Sequence, residues 1–409
     1  MTSRTTAQIR GAVLVGRRLV DDVLVGVDRA AGRIVSVEPV RGRSAAAARA
    51  RRVDGLICAG FVDVHLHGAG GDDVLGPGGA DALLIASRGG KRVEREVVDA
   101  IRAIAATLDG HGYAAFLPTA VSLPIPSLRI WLRAVAIARA EQSADRASGR
   151  AAREAIILGA HAEGPALAFS RKGAHDPTAL LAPSEVAAEL ERDEADWSAL
   201  RSMTVAPELR GGDALIDALV RRRVVASVGH TAATFEQATR AWERGASSVT
   251  HLCNGMEPFH HRKPGAVGAA LAHRTVRVEL IGDGVHVDAR SAALLANQLG
   301  DRMMLVSDAL PPAGLGDRDF RLGTLPVRVR DGRATLADGT LAGSVTLLDT
   351  AVPTMVAAGV PLLSAIGAAT RTPADLLRTP ELGRIEPGAA ARLIRVDLET
   401  GAHATRIRI

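Results

Sequence analysis

Short runs rich in β-branched residues, broken by Gly or Asp, open the chain at 12–15, 22–27 and 33–39. Runs of this kind read as short strands joined by turns. The same texture returns at the other end, over 390–396 and 403–409. Strands at both ends predict one small β domain made from both termini, a β-sandwich of residues 1–58 and 375–409. The middle of the chain, 59–374, is then an insertion into it.

The middle has a different rhythm. Eight apolar runs recur, at 61–66, 114–118, 155–160, 202–206, 224–228, 247–252, 276–281 and 303–307. Amphipathic stretches with helical spacing follow most of them, for example 179–190, 213–222, 234–244 and 289–299. Eight alternating β/α units predict an α/β fold of the (β/α)8 TIM-barrel type. The rival, an open doubly wound sheet, needs a Gly-rich phosphate turn after its first strand. Here that place holds His65 and His67. The uncharged stretch 350–370 has the length of a membrane span, but Pro353, Gly359, Pro361 and Gly367 interrupt it. It reads as two short helices with a break, so no membrane partner is expected.

Composition narrows the function. The chain has 409 residues, 47% apolar and 23% charged, which excludes a disordered chain. Aromatics are 2%, too few for a base-stacking platform. The net charge of +5 comes from arginines spread along the chain, and the lysines are only Lys91, Lys172 and Lys263. No nucleic-acid partner follows from that distribution. Cys58 and Cys253 make no disulfide framework, and the first ten residues lack the apolar core of a secretion signal. Both observations predict a cytoplasmic protein.

Of twelve histidines, eleven fall between His65 and His286, mostly just past the expected strands. Active-site residues of a barrel come from those C-terminal strand ends. His65 and His67 close the first strand, and residues two apart share a face. Glu163 ends the third among Ala, Gly and Pro, where a carboxylate needs a partner. His230, His251 and Asp308 end the fifth, sixth and eighth. Together these six supply nitrogen and oxygen donors for one or two divalent ions, zinc first, with iron, manganese or cobalt as alternatives. A metal-dependent hydrolase is the expected class. The loop 258–264 adds His260, His261, Arg262 and Lys263, and a guanidinium suits a phosphate.

Motifs in order along nearly the whole chain carry a resemblance. They include GFVDVHLHG at 60–68, FLPT at 116–119, HAEGP at 161–165, KGAHDP at 172–177 and GHT at 229–231. THLCNGM at 250–256, GDGVHVD at 282–288, SDA at 307–309, LAGS at 341–344 and TPA at 372–374 continue the series. The chain resembles the N-acetylglucosamine-6-phosphate deacetylases of the amidohydrolase superfamily.

The resemblance implies a barrel with a small β-sandwich, and release of acetate from an amino sugar phosphate. It implies Glu163, His230 and His251 as main metal ligands, His65 and His67 as a pair that adds a second site in some members, and Asp308 as acid/base. It implies substrate contacts at His175, Asn254, Gly255, Arg262 and His286. The Arg262 equivalent can come from a neighbouring subunit, which implies a homodimer. Three motifs depart from the family: Ala162 and Ala166 flank Glu163, Cys253-Asn254-Gly255 replaces Phe-Asn-Ala, and Gly282 replaces Ala. These concern the sugar and phosphate contacts, so another N-acetyl amino sugar, a galacto or manno epimer or an unphosphorylated one, remains an alternative substrate. A catalytically inactive sugar-binding relative would be expected to have lost Asp308 or a ligand. Amidohydrolases that bridge two metals with a carboxylated lysine need that lysine after the fourth strand, and 203–208 (MTVAPE) has none.

Overall fold

A computed structural model describes residues 6–42, 45–86, 90–149, 153–192, 197–322 and 325–408. The first strands are β1 (Thr6–Val15), β2 (Arg18–Asp28), β3 (Arg33–Pro39) and β4 (Arg51–Ala59). Alternating side chains of these strands, among them Ile9, Val13, Val23, Val25, Ile34 and Ile57, form a separate small core. Leu14, Leu56 and Cys58 point the other way and join the main core. The period of two thus welds one face of the sheet to the rest of the molecule.

One residue, Gly60, separates β4 from β5 (Phe61–Leu66), the first barrel strand. A two-residue hairpin, β6 (Gly68–Ala69) with β7 (Asp72–Asp73), follows the site histidines. The barrel continues through β8 (Tyr113–Ala120), β9 (Ile156–Ile157), β10 (Ala160–Glu163), β11 (Leu200–Val205) and β12 (Val225–Val228). It ends with β13 (Ser248–Val249), β14 (Arg277–Ile281) and β15 (Met303–Val306). These strands run parallel in the order β5-β8-β10-β11-β12-β13-β14-β15, with β9 also on β8. Between the first and last strands the ring closes at its upper end. Asp308 N–H donates to His65 O at 3.0 Å and His67 N–H to Ala309 O at 2.8 Å. The buried Asp63 carboxylate accepts the Ser307 N–H at 3.2 Å across the same seam.

Past β15 the chain makes an antiparallel three-stranded excursion, β16 (Arg318–Leu322), β17 (Leu325–Arg330) and β18 (Arg333–Thr335), which the apolar pattern did not announce. β19 (Leu393–Val396) and β20 (Thr405–Arg406) return to the first sheet, in the order β20-β19-β4-β1-β2-β3. That sheet curls, so that Ile34 N–H reaches Ala389 O at 2.8 Å just ahead of β19. The small β domain expected from both termini is built on this six-stranded sheet, around its own core.

Two expected strands shift. The run 155–160 is interrupted at 158–159 and carries on to Glu163. The run 247–252 shrinks to β13, because the chain enters a left-handed turn at His251, with φ of 27°. The stretch 350–370 holds helices Leu348–Ala357 and Leu362–Ala368, with the break between them. No described helix is long and apolar enough to cross a membrane.

Trp131, on the helix Ile125–Ala147, is fully buried, and its indole N–H donates to Val74 O at 2.9 Å. Val74 N–H in turn bonds His67 O at 3.0 Å, so this ring braces the segment leaving the first strand. Trp131→Ala is expected to cost about 3–5 kcal/mol of stability through the cavity it leaves, read as a lowered urea midpoint.

Candidate active site

His230, His251 and Asp308 follow β12, β13 and β15, and each has left-handed backbone, with φ of 45°, 27° and 48°. Such backbone is strained for non-glycine residues and persists where surrounding bonds hold it. His251 N–H is held by the Glu279 carboxylate at 3.2 Å and Asp308 N–H by His65 O at 3.0 Å. All three side chains line one cavity of about 240 Å³ at the C-terminal mouth of the barrel, together with His67, Glu163 and His175.

Glu163 is the hub. Its Oε1 lies 2.9 Å from His230 Nε2 and 2.8 Å from His251 Nε2. Its Oε2 lies 3.3 Å from His67 Nε2 and 3.4 Å from both His65 Nε2 and His175 Nε2. Asp308 Oδ1 stands 3.1 Å from His67 Nε2 and 3.5 Å from His65 Nε2.

The outer hydrogen bonds decide which ring nitrogens can donate a lone pair. His67 Nδ1 donates to Thr119 O at 2.9 Å, His230 Nδ1 to Arg171 O at 2.7 Å, and His65 Nδ1 to Glu279 at 3.0 Å. In its neutral form each therefore presents a bare Nε2 to the cluster. His175 is the reverse case. Its Nδ1 accepts the Ser122 N–H at 3.0 Å, so in the neutral ring the proton is on Nε2 and faces the cavity. Burial pushes its pKa down to about 4, which keeps it neutral.

Charge follows the same geometry. Burial alone would raise Asp308, but His67 and His65 outweigh it and hold the carboxyl at about 2. Burial likewise opposes ionisation of Glu163, yet the surrounding imidazoles keep it well below the usual carboxylate range. His67 moves the other way: burial lowers it, while bonds to Asp308 and Glu163 lift it to about 9. Two buried carboxylates facing bare imidazole nitrogens call for a cation between them, as protons on the rings or as a metal ion.

The donors fit a metal. Glu163, His230 and His251 form one close group, and His65, His67 and Glu163 another. His65 Nε2 is buried without a hydrogen-bond partner among the described residues, as a ligand atom would be without its ion. His161, beside them in sequence and space, is different. Its Nδ1 donates to Val64 O at 3.0 Å and its Nε2 meets Thr204 Oγ1 at 2.9 Å, so both nitrogens are used.

Asn254, Gly255 and His286 also line the cavity. Gly255 has φ of 59°, and a Cβ there would stand 2.7 Å from His230 Nδ1. Its bare backbone makes room for that ring. Arg262 lies on an exposed loop and does not line the cavity of its own chain.

Sequence reasoning passed over Glu279, which contacts both His65 and His251, and Asp283, which holds His286 Nδ1 at 2.7 Å. A signal existed for the first: an acid inside the apolar run 276–281 needs a buried partner. The motif LAGS marked 341–344, but nothing in the local pattern announced that this stretch, with Leu322 and Thr340, would form one wall of the cavity.

Comparison with known proteins agrees with this geometry. A profile of the amidohydrolase family matches residues 56–407. The N-acetylglucosamine-6-phosphate deacetylase of Vibrio furnissii is 33% identical over 401 residues, 97% of this chain and 92% of the relative. The N-acetylgalactosamine-6-phosphate deacetylase of Escherichia coli O157:H7 is 32% identical over 356 residues, 87% and 86% of the two chains. A Mycobacterium smegmatis N-acetyl-D-glucosamine-6-phosphate deacetylase variant, solved in complex with N-acetyl-D-glucosamine-6-phosphate, superposes with a TM-score of 0.79 at 30% identity, covering 98% of each chain. On a match of this length and order, the chain belongs to the amidohydrolase family, alongside the N-acetylglucosamine-6-phosphate and N-acetylgalactosamine-6-phosphate deacetylases it resembles.

Proposed function

We propose that the protein is a metal-dependent deacetylase that converts N-acetylglucosamine-6-phosphate to glucosamine-6-phosphate and acetate. The observation that carries this reading is the ionised Asp308, facing the same cavity as the cluster of Glu163, His230 and His251. In this reading Glu163, His230 and His251 hold the main ion, and His65 and His67, with Glu163, a second. Zinc suits these donors, with iron, manganese and cobalt as rivals.

Glu163, His230 and His251 would hold a divalent cation there, which would supply Lewis acidity to the amide carbonyl and lower the pKa of the attacking water toward about 7. Asp308 takes the proton from that water as its oxygen bonds to the acetyl carbon. The His175 Nε2–H donates to the carbonyl oxygen as negative charge builds on it. Asp308 then passes the proton to the sugar nitrogen as the carbon–nitrogen bond breaks, and the amine and acetate leave. His286, braced by Asp283, and Asn254 stand where the sugar would lie.

Among the described residues that line the cavity there is no arginine or lysine. A phosphate dianion needs a cation, and the exposed Arg262 would supply it from a neighbouring copy in a homodimer. The domain division at 1–58 with 375–409 against 59–374, and a cytoplasmic location, belong to the same reading. A galacto substrate is the second reading, favoured by the identity to the Escherichia coli O157:H7 relative. Acetate release from the gluco, galacto and manno 6-phosphates, and from the sugars without phosphate, decides between them. The largest kcat/KM on an unphosphorylated sugar would refute the phosphate part of the reading.

Four substitutions test the roles. Asp308→Asn should keep its metal and lose roughly 10²–10⁴-fold in turnover, and wild-type turnover would remove Asp308 from the chemistry. Glu163→Gln should lose the tightly bound ion in elemental analysis, whereas His65→Ala should lose at most the second. Arg262→Ala should depress kcat/KM roughly 10–150-fold for the phosphorylated sugar, the worth of a charge-assisted contact. The slow rate on the unphosphorylated sugar should stay as it was, so the ratio of the two rates is the quantity to measure.

A further inference from the structure

Glu279 has no part in the reaction just described, yet it is 1% exposed and lies on β14 between the buried Val278 and Leu280. A carboxylate there needs donors. Both come to one oxygen: Glu279 Oε2 accepts from His65 Nδ1 at 3.0 Å and from the His251 backbone N–H at 3.2 Å. His65 and His251 belong to the two close groups that share Glu163, and their rings stand 5.3 Å apart; Glu279 itself lies close to His65 and His161.

Three carboxylates surround the His65 ring. Glu163 and Asp308 stand 3.4 and 3.5 Å from Nε2, Glu279 stands 3.0 Å from Nδ1. They compete for the one proton of the neutral ring. If it sat on Nε2, the ring would bond the site carboxylates and could not donate a lone pair. The closer Glu279 draws it to Nδ1, and Nε2 is left bare and without a hydrogen-bond partner among the described residues.

We infer that Glu279 is a positioning residue for the metal centre: it fixes His65 as an Nε2 donor and, through the same oxygen, pins the left-handed turn that presents His251. The inference rests on the reading that His65, His67 and Glu163 take an ion. Glu279 thereby couples the two groups from beneath, without touching substrate.

The test is chelator competition on the metal-loaded protein, with bound zinc per chain read by a zinc-responsive dye. Wild type, Glu279→Gln, His65→Ala and the double variant are compared. Glutamine keeps the size and can still accept the His251 N–H, but it loses the charge that draws the proton to Nδ1. Glu279→Gln should weaken the His65-dependent ion by about 10–100-fold, the usual worth of an outer partner to a metal ligand. On the His65→Ala background the same change should alter the remaining ion's affinity by no more than a few-fold, because its target is gone. An unchanged affinity in Glu279→Gln, or an equal loss on both backgrounds, overturns the inference. A wild-type protein with no ion sensitive to His65→Ala overturns the underlying metal reading, and this inference with it. If Glu279→Gln does not fold, Glu279→Asp, which withdraws the charge by one methylene, carries the same comparison.

Discussion

A single buried carboxylate sets the terms for the rest of this structure. Glu163 is 3% exposed, and five imidazoles converge on it within 3.4 Å. An unpaired carboxylate in such a place would cost several kcal/mol or be driven to protonate. The rim of the barrel is therefore arranged so that ring nitrogens arrive at Glu163 from β5, β12, β13 and the loop carrying His175. Apart from His65 and His67, which share the end of β5, each comes from a different strand or loop, so the hub needs those strands side by side.

Closing the barrel is also what strains it. The seam between β5 and β15 runs through Asp63, His65 and Asp308, so the bonds that complete the ring also hold the acid/base candidate in its left-handed turn. His251 is held in the same way from β14. Strain at His251 and Asp308 is thus balanced by hydrogen bonds from neighbouring strands and at His230 by the loop at Ala168 and Arg171, and the curled terminal sheet packs on the core through Leu14, Leu56 and Cys58.

The histidines divide by their outer partners more than by their distance to the hub. His65, His67 and His230 give their Nδ1 protons away to Glu279, Thr119 and Arg171, and so offer lone pairs. His175 accepts at Nδ1 from Ser122 and offers a proton. His161 spends both nitrogens on Val64 and Thr204 and offers neither. One residue type thereby fills three chemical roles within a few ångströms, sorted by single backbone and side-chain contacts.

Much of this was legible in the chain itself. Hydrophobic periodicity determined the eight β/α units, because buried parallel strands must be apolar on both faces, and Phe61–Leu66 agrees residue for residue with the expected run. The positions of His65, His67, Glu163, His230, His251 and Asp308 just past those runs placed them at one mouth, since every parallel strand ends on the same side. Where the chain leaves a strand is a tertiary matter. β13 stops at Val249 because the turn at His251 is stabilised by Glu279, a residue 28 positions away. Tautomers too were beyond the sequence, since they depend on contacts such as His67 with Thr119 O and His65 with Glu279. So was the exposure of Arg262, a residue whose motif speaks of phosphate while its own chain keeps it out of the cavity. Local pattern determines which residues are buried and in which order they arrive; only closure of the ring decides which atoms of those residues face one another.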